Sequence, residues 1–86
     1  GLTYAIQILR SAQKQLSKIQ RQEQQRIIES IGGLANDPRP SGCRKLSGRL
    51  AWRIRIGDYR VIYEIHDDRL MVLVIAIGHR RAIYRY

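Results

Sequence analysis

Phenylalanine is absent from this 86-residue chain, and cysteine, methionine and tryptophan occur once each. The lone Cys43 excludes an internal disulfide, and together with two scattered histidines it is too little for a usual structural zinc site. A reduced, cytoplasmic protein is therefore expected. The longest apolar run, Leu70 to Ile77, has eight residues, whereas a membrane span needs about 20. No transmembrane helix and no membrane partner follow. Acidic side chains number only seven and are too dispersed to promise a magnesium site. A glycine-rich phosphate loop with Lys and Ser or Thr, a paired cysteine motif and a His–Glu pair at helical spacing are all missing. Metal-dependent hydrolysis is disfavoured, and no cofactor is expected.

Against those seven acids stand sixteen basic residues, for a net charge of +9. The excess is local. Between Arg39 and Arg60 seven basic residues face one acidic residue, while the flanking segments are close to balanced. Thirteen of the sixteen are arginine, whose planar fork grips a phosphate through two hydrogen bonds and stacks on bases. A polyanion is the natural partner for such a surface.

The length predicts a single domain over residues 1–86. Alternation of Tyr4, Ile6 and Ile8 predicts a first strand over Leu2–Leu9. Ser11 can then cap a short helix whose apolar face is Ala12, Leu16 and Ile19, and a second helix from Arg21 presents Ile27, Ile28, Ile31 and Leu34. Asn36 to Gly42, with Pro38 and Pro40, must be a loop. From Leu50 the period becomes two. Trp52, Ile54 and Ile56 alternate with Arg53 and Arg55, and Gly57-Asp58 allow a tight turn. Tyr59 to Ile65 forms the next strand, His66 to Arg69 a polar turn, and Leu70 to Ile77 a central strand. The expected fold is α+β: an N-terminal strand, a two-helix hairpin and a three-stranded antiparallel meander, with the helices on one sheet face and the other face partly covered. Trp52, Tyr59 and Tyr63 are expected in the core, and Gly78 to Tyr86 is a tail or half-turn.

Arg53 and Arg55 lie two residues apart and so share a strand face, Arg60 begins the neighbouring strand beside Arg55, and the end of the last strand brings His79 and Arg80 to the same sheet. Like charges gathered in this way repel, a cost that makes sense if a polyanion neutralises it. Such a site suits RNA cleavage without metal, because the substrate brings its own nucleophile, the 2′-hydroxyl. The protein then has to align that group, stabilise the developing phosphorane charge and manage two protons. Tyrosines such as Tyr84 and Tyr86 can stack on unpaired bases. Arg44, Lys45, Arg49 and Arg81 read as RNA-backbone or ribosome contacts, and His66 as a turn residue.

Leu46 with Gly48, Trp52-Arg53-Ile54-Arg55, Tyr59-Arg60-Val61-Ile62-Tyr63 and Ile77-Gly78-His79-Arg80-Arg81 followed by Ile83-Tyr84-Arg85 together resemble the RelE toxin family of the RelE/ParE superfamily. The likeness spans nearly the whole chain. It implies a type II toxin that enters the ribosomal A site, contacts 16S rRNA and cuts mRNA there as an endoribonuclease, restrained by a cognate RelB-like antitoxin. The family's basic pair on the second strand corresponds to Arg53 and Arg55, its phosphate-binding arginine on the third to Arg60, its arginine after the glycine to Arg80 and its late tyrosine to Tyr84. Family members that cleave RNA often have lysines where this chain has Arg53 and Arg55, and arginine, with a pKa above about 12, is a poor proton acceptor. Histidine suits proton exchange near neutral pH, which makes His79 the candidate acid or base. The resemblance leaves little room after Tyr84 for the C-terminal helix of some relatives. Two other functions stay open: a ParE-like inhibitor of DNA gyrase, and a nucleic-acid-binding module without catalysis.

Overall fold

The computed structural model describes residues 2–81. Strand β1 (Ala5–Ile8) leads into helices α1 (Arg10–Ser17) and α2 (Arg21–Gly33), followed by strands β2 (Arg44–Lys45), β3 (Trp52–Ile56), β4 (Tyr59–His66) and β5 (Met71–His79). The five strands form one sheet in the order β1-β5-β4-β3-β2. Strands β3, β4 and β5 make the expected antiparallel meander, and β1 joins it by pairing parallel to β5. Strand β2 is an addition to the expected architecture. Its two residues pair with Arg53 and Trp52, and a segment that short has no period to read in the sequence.

The helices cover one sheet face. Ala12 and Leu16 of α1 and Ile27 and Ile31 of α2, with Leu34 just beyond, are buried against Ile54, Ile56, Val61, Tyr63, Val72, Val74 and Ile77. Each large aliphatic side chain so buried contributes about 1.5–3 kcal/mol. Trp52 and Tyr59 pack against this cluster half-buried, and Tyr63 is fully buried, as the alternation predicted. Two helix details differ from expectation. Ser11 is not the cap: α1 begins at Arg10 with Leu9 at the capping position and no side-chain cap bond, while the Gln13 side chain donates to the Ile8 carbonyl at 2.8 Å. Ile28 is 49% exposed, because the stripe facing the sheet runs through Ile27, Ile31 and Leu34 and the next residue turns about 100° away. No helix among the described residues is long and apolar enough to cross a membrane.

The opposite face carries only a small cluster of Ala51, Ile62 and Ala76 with Leu46 and Ile75 beside it. Its arrangement turns on an irregularity in β5. Ile62 pairs with Ala76 but Tyr63 pairs with Val74, so Ile75 is an extra residue in the ladder. Because side chains alternate with period two, one extra residue reverses the facing of everything beyond it. Val72 and Val74 face the helices, and past the bulge it is Ile77 that does so. The Gln15 side chain of α1 accepts the Ile77 amide at 2.8 Å and fastens the bulged end of β5 to the helix layer.

Turn chemistry fits the sequence at Gly57, whose φ of +59° closes the β3–β4 turn against Glu23 and Arg26 of α2. Leu70, expected to open the last strand, instead has φ 50° at the end of a turn of 3-10 helix (Asp67–Arg69), and β5 starts at Met71. The proline loop is pinned from two sides. The buried Tyr63 hydroxyl donates to the Pro38 carbonyl at 2.8 Å. Arg39 pairs with Asp67 at 2.8 Å and lies 5.1 Å from the centre of the Trp52 ring, while the Tyr4 hydroxyl donates to the same carboxylate.

Removing the Tyr63 hydroxyl leaves a buried carbonyl without its donor, so Tyr63→Phe is expected to lower stability by about 1–2 kcal/mol in urea denaturation. The Asp67 carboxyl is held below its ordinary range, first by the hydrogen bond from Arg39 and then by that from Tyr4. A carboxyl depressed in the folded state stabilises above its unfolded pKa of about 4, and this contribution disappears as pH falls through the lower folded value. Thermal melts below pH 4 should therefore show an acid-induced loss that Asp67→Asn reduces; an unchanged pH profile in that variant would remove Asp67 from the account.

Candidate nucleic-acid interface

Because Ile54 and Ile56 point into the helix-side core, Arg53 and Arg55 emerge on the other face of β3. Strand register extends this set. Arg44 of β2 lies directly opposite Arg53, Arg55 lies opposite Arg60, and Arg60 lies opposite Gly78 of β5. Four arginines thus occupy two adjoining cross-strand rows on the open face. One row ends over the apolar residues Ile62 and Ala76, the other over a glycine with no side chain. A concavity of ≈ 430 Å³ is lined by Gly42, Arg44, Arg53 and Arg55.

The register sets these cations within one another's field. The Arg53 guanidinium, half-buried, has its pKa lowered first by burial and then by the charges of Arg60, Arg55 and Arg44. Among the described residues, the salt bridges join Arg26 to Glu23, Arg39 to Asp67, His66 to Glu64 and Arg69 to Asp68, none of them reaching Arg44, Arg53 or Arg55. Like charges placed directly across strands destabilise a sheet by some tenths of a kcal/mol each.

The other expected site residues divide. Arg80 is exposed, and its amide donates to the Asp58 carbonyl at 2.8 Å, which keeps it at the end of the sheet where Arg55 and Arg60 lie. His79 lies in the sheet as expected, as the last residue of β5, but on the face away from the arginines. It pairs with Tyr59 across the ladder, and the two rings meet edge to face at 5.8 Å with an interplanar angle of 80°. Tyr59 packs on the helix-side core, so the bulge at Ile75 has turned His79 to that side. Its Nδ1 accepts the Arg81 amide at 3.3 Å. Lys45 is opposite Trp52 and so faces the helix side as well, while Arg49 is exposed at the tip of the β2–β3 hairpin. Tyr84 and Tyr86 lie outside the described residues.

His66, read as a turn residue, is the last residue of β4, with Nε2 2.9 Å from Glu64 Oε1. It shares the face of Arg60 but stands six residues along, about 20 Å away. Sequence reasoning missed the placement of Arg44 in the arginine array. The available signal was the Ser47-Gly48 turn between Arg44-Lys45 and Trp52-Arg53, which marks a hairpin. Among the described residues, no group of three or more His, Cys, Asp or Glu side chains could hold a metal ion.

Relief of repulsion gives a test of the array in the free protein. Arg53→Met should raise stability by about 0.5–1 kcal/mol in low-salt urea denaturation, with a smaller gain at high salt. Arg69→Met, which removes an exposed cation outside the array, should not; equal effects of the two substitutions would mean that Arg53 feels no special field.

Comparison with known proteins gives concordant matches. Residues 6–84 match the family model described as the ParE toxin of the type II toxin–antitoxin system parDE. Toxin RelG of Mycobacterium tuberculosis is 28% identical over 88 residues, covering 98% of this chain and 99% of that toxin. The archaeal RelE–RelB complex of Pyrococcus horikoshii superimposes with a TM-score of 0.82 at 27% identity, covering 92% of this chain and 97% of its counterpart. The toxin–antitoxin complex RelBE2 of M. tuberculosis gives a TM-score of 0.81 at 23% identity, covering 92% of this chain and 100% of the matched one.

Proposed function

The chain belongs to the ParE toxin family of type II toxin–antitoxin systems, within the RelE/ParE superfamily, and from that premise we propose that it is a ribosome-dependent endoribonuclease that cleaves mRNA in the A site. The observation that carries this reading is the pair of arginine rows on the open sheet face. A gyrase inhibitor of the same superfamily has no need of a phosphate cradle at the family's cleavage positions. The proposed partners are mRNA, the ribosome with its 16S rRNA, and a cognate antitoxin of the RelB kind, as in the solved RelE–RelB complexes. An acidic amphipathic helix is the complementary shape and charge for a basic face with a small apolar strip beside it.

In the proposed reaction the 2′-oxygen attacks the adjacent phosphorus and the P–O5′ bond breaks, leaving a 2′,3′-cyclic phosphate and a 5′-hydroxyl. One proton leaves the 2′-hydroxyl and one is delivered to the departing 5′-oxygen. Arg55 and Arg60, directly opposite across β3 and β4, hold the scissile phosphate and stabilise the charge that grows on it, with Arg80 arriving from the end of β5. Fixed cations act strongly here because they are in position before the charge develops. Arg53 sits in the neighbouring row and adds to the same field. His79, the candidate for proton exchange on its chemistry, sits beside Tyr59 on the sheet face away from the arginines, so the two proton transfers are not routed through it. Tyr84 is assigned to stacking on a base or orienting the attacked nucleotide. Tyr86, Arg81, Arg49 and Lys45 are assigned to contacts with the RNA backbone and ribosome.

Primer extension on programmed ribosomes with an empty A site should show a discrete cut within the A-site codon that naked mRNA lacks. Arg60→Ala and Arg80→Ala should each slow it about 100-fold, the scale for loss of one preorganised donor. Undiminished cutting by both variants would refute the residue assignment. Inhibition of gyrase supercoiling with no mRNA cut would favour the ParE-type activity instead.

A further inference from the structure

Strand β2 is so short that it leaves part of the sheet edge without a neighbour. Its pairing reaches only Trp52 and Arg53, so among the described residues no strand flanks the outer side of β3 from Ile54 to Ile56. A cleft of ≈ 280 Å³ opens there, between that edge, the last turn of α2 and the proline loop. This is just under the roughly 300–1,000 Å³ of sites for drug-sized ligands, a size for one ring system. The floor is apolar, formed by the buried Leu34, Ile54 and Ile56. Helix α2 contributes Ser30 and Gly33 to the walls, and the loop contributes Pro40 and Ser41. We propose that this cleft is a nucleobase pocket, which takes one unpaired base of the RNA strand with its polar edge against the Ser30 and Ser41 hydroxyls. The pocket deepens the RNA-cleavage reading and rests on it for the identity of the strand.

The polar groups around that floor are uncommitted. Among the described residues none bonds to the Ser30 or Ser41 hydroxyl, whereas Ser17, also helical, returns its hydroxyl to the Lys14 carbonyl at 2.7 Å, a common arrangement for a serine in a helix. The backbone adds to this set. The Leu46 amide donates to the Ala51 carbonyl at 2.8 Å, and with the alternation of an antiparallel ladder Arg53 and then Arg55 turn N–H and C=O to the same outer edge. Arg53 meets β2 there, while Arg55 lies beyond it and lines the cleft. A donor beside an acceptor matches the paired groups along a base edge, which single-stranded RNA leaves open. One free residue is too short a run for an added peptide strand, which is held by alternate residues along an edge.

Gly33 supplies a separate argument. It sits in the last turn of α2 without the left-handed φ of a glycine cap, and a Cβ there would meet nothing within 4 Å. Neither backbone nor crowding therefore demands glycine, which in a helix costs up to about 1 kcal/mol relative to alanine. What the missing side chain gives is room in the cleft. The loop opposite is fixed by the Tyr63 hydroxyl on the Pro38 carbonyl and by the Cys43 amide on the Pro40 carbonyl at 3.0 Å, so the pocket is formed before a ligand arrives. Arg55 lines both this cleft and the recess that holds Gly42 and Arg44. A base in the cleft and a phosphate on the arginine side can thus belong to one nucleotide.

The test uses a labelled 2′-O-methyl RNA trinucleotide, which cannot undergo the cleavage step, and the same trinucleotide with an abasic residue at each position in turn. Binding is followed by fluorescence anisotropy at low salt. The wild-type chain should bind the intact form about tenfold more tightly than at least one abasic form, the scale of one base's contacts. Gly33→Leu fills the cleft and should bring that ratio near unity, with the dependence of affinity on salt unchanged because the phosphate contacts stay. The variant should be at least as stable as wild type in urea, since it leaves glycine for a better helix former. Gly32→Leu, outside the cleft and equally free of crowding, should keep the ratio. Ser30→Ala combined with Ser41→Ala, which leaves the cleft open, should lower it to about threefold. The proposal is overturned if the wild-type chain binds intact and abasic forms alike or binds neither, if Gly33→Leu or the serine pair leaves the ratio unchanged, or if Gly32→Leu abolishes it too. A Gly33→Leu chain that keeps the ratio but no longer co-purifies with its antitoxin would assign the cleft to a peptide instead. Failure of the cleavage reading looks different: the ratio and its loss in Gly33→Leu persist while no cut appears on ribosomes.

Discussion

Burial of one face of β4 and β5 beneath two helices is the constraint on which the other features depend. Val61, Tyr63, Val72, Val74 and Ile77 are fully buried there. With so few large aromatics, the chain draws its hydrophobic stabilisation from branched aliphatic residues packed between the two layers. The helix layer is used up on this face. Small residues and arginines are left to the other one, where Ala51, Ile62 and Ala76 form a thin apolar strip and Arg44, Arg53, Arg55 and Arg60 stand beside it. A charged surface therefore arises from the same asymmetry that makes the core.

The loop and the helices serve that sheet by satisfying polar groups at its margins. Gln15 accepts the Ile77 amide, Gln24 donates to the Leu16 carbonyl, and the Tyr63 hydroxyl reaches the Pro38 carbonyl. Each bond joins segments far apart in function: the bulged strand to α1, the two helices to each other, the proline loop to the centre of the sheet. Arg39, within the basic middle segment, is paired with the Asp67 carboxylate and belongs to the fold and not to the arginine array. Distinguishing a paired arginine from one left facing other arginines is a matter of partners, and net charge carries no trace of it.

Repulsion within the array has a functional counterpart. A site whose cations destabilise one another in the free protein gains on binding both the new ion pairs and the relief of the old conflict, and the effect falls with salt. The same surface offers an acidic partner a means of neutralisation.

By itself the sequence determined the α+β order, the helical hairpin, the meander from Trp52 onward and the face shared by Arg53 and Arg55, because period-two and period-3.6 patterns are local and strong over those segments. It also placed Arg60 beside Arg55, since a two-residue turn fixes register. The parallel pairing of β1 with β5 was decided only by tertiary structure, as it joins segments more than 60 residues apart. So was the burial of Ile27 in place of Ile28, which depends on how α2 lies on the sheet. The bulge at Ile75 hides in an unbroken apolar run, where alternation has nothing to register against, and that one residue turned His79 from the arginine face to Tyr59. The pairing of Arg44 with Arg53 required a two-residue strand to find its partner, a choice made by register across space and not by spacing along the chain.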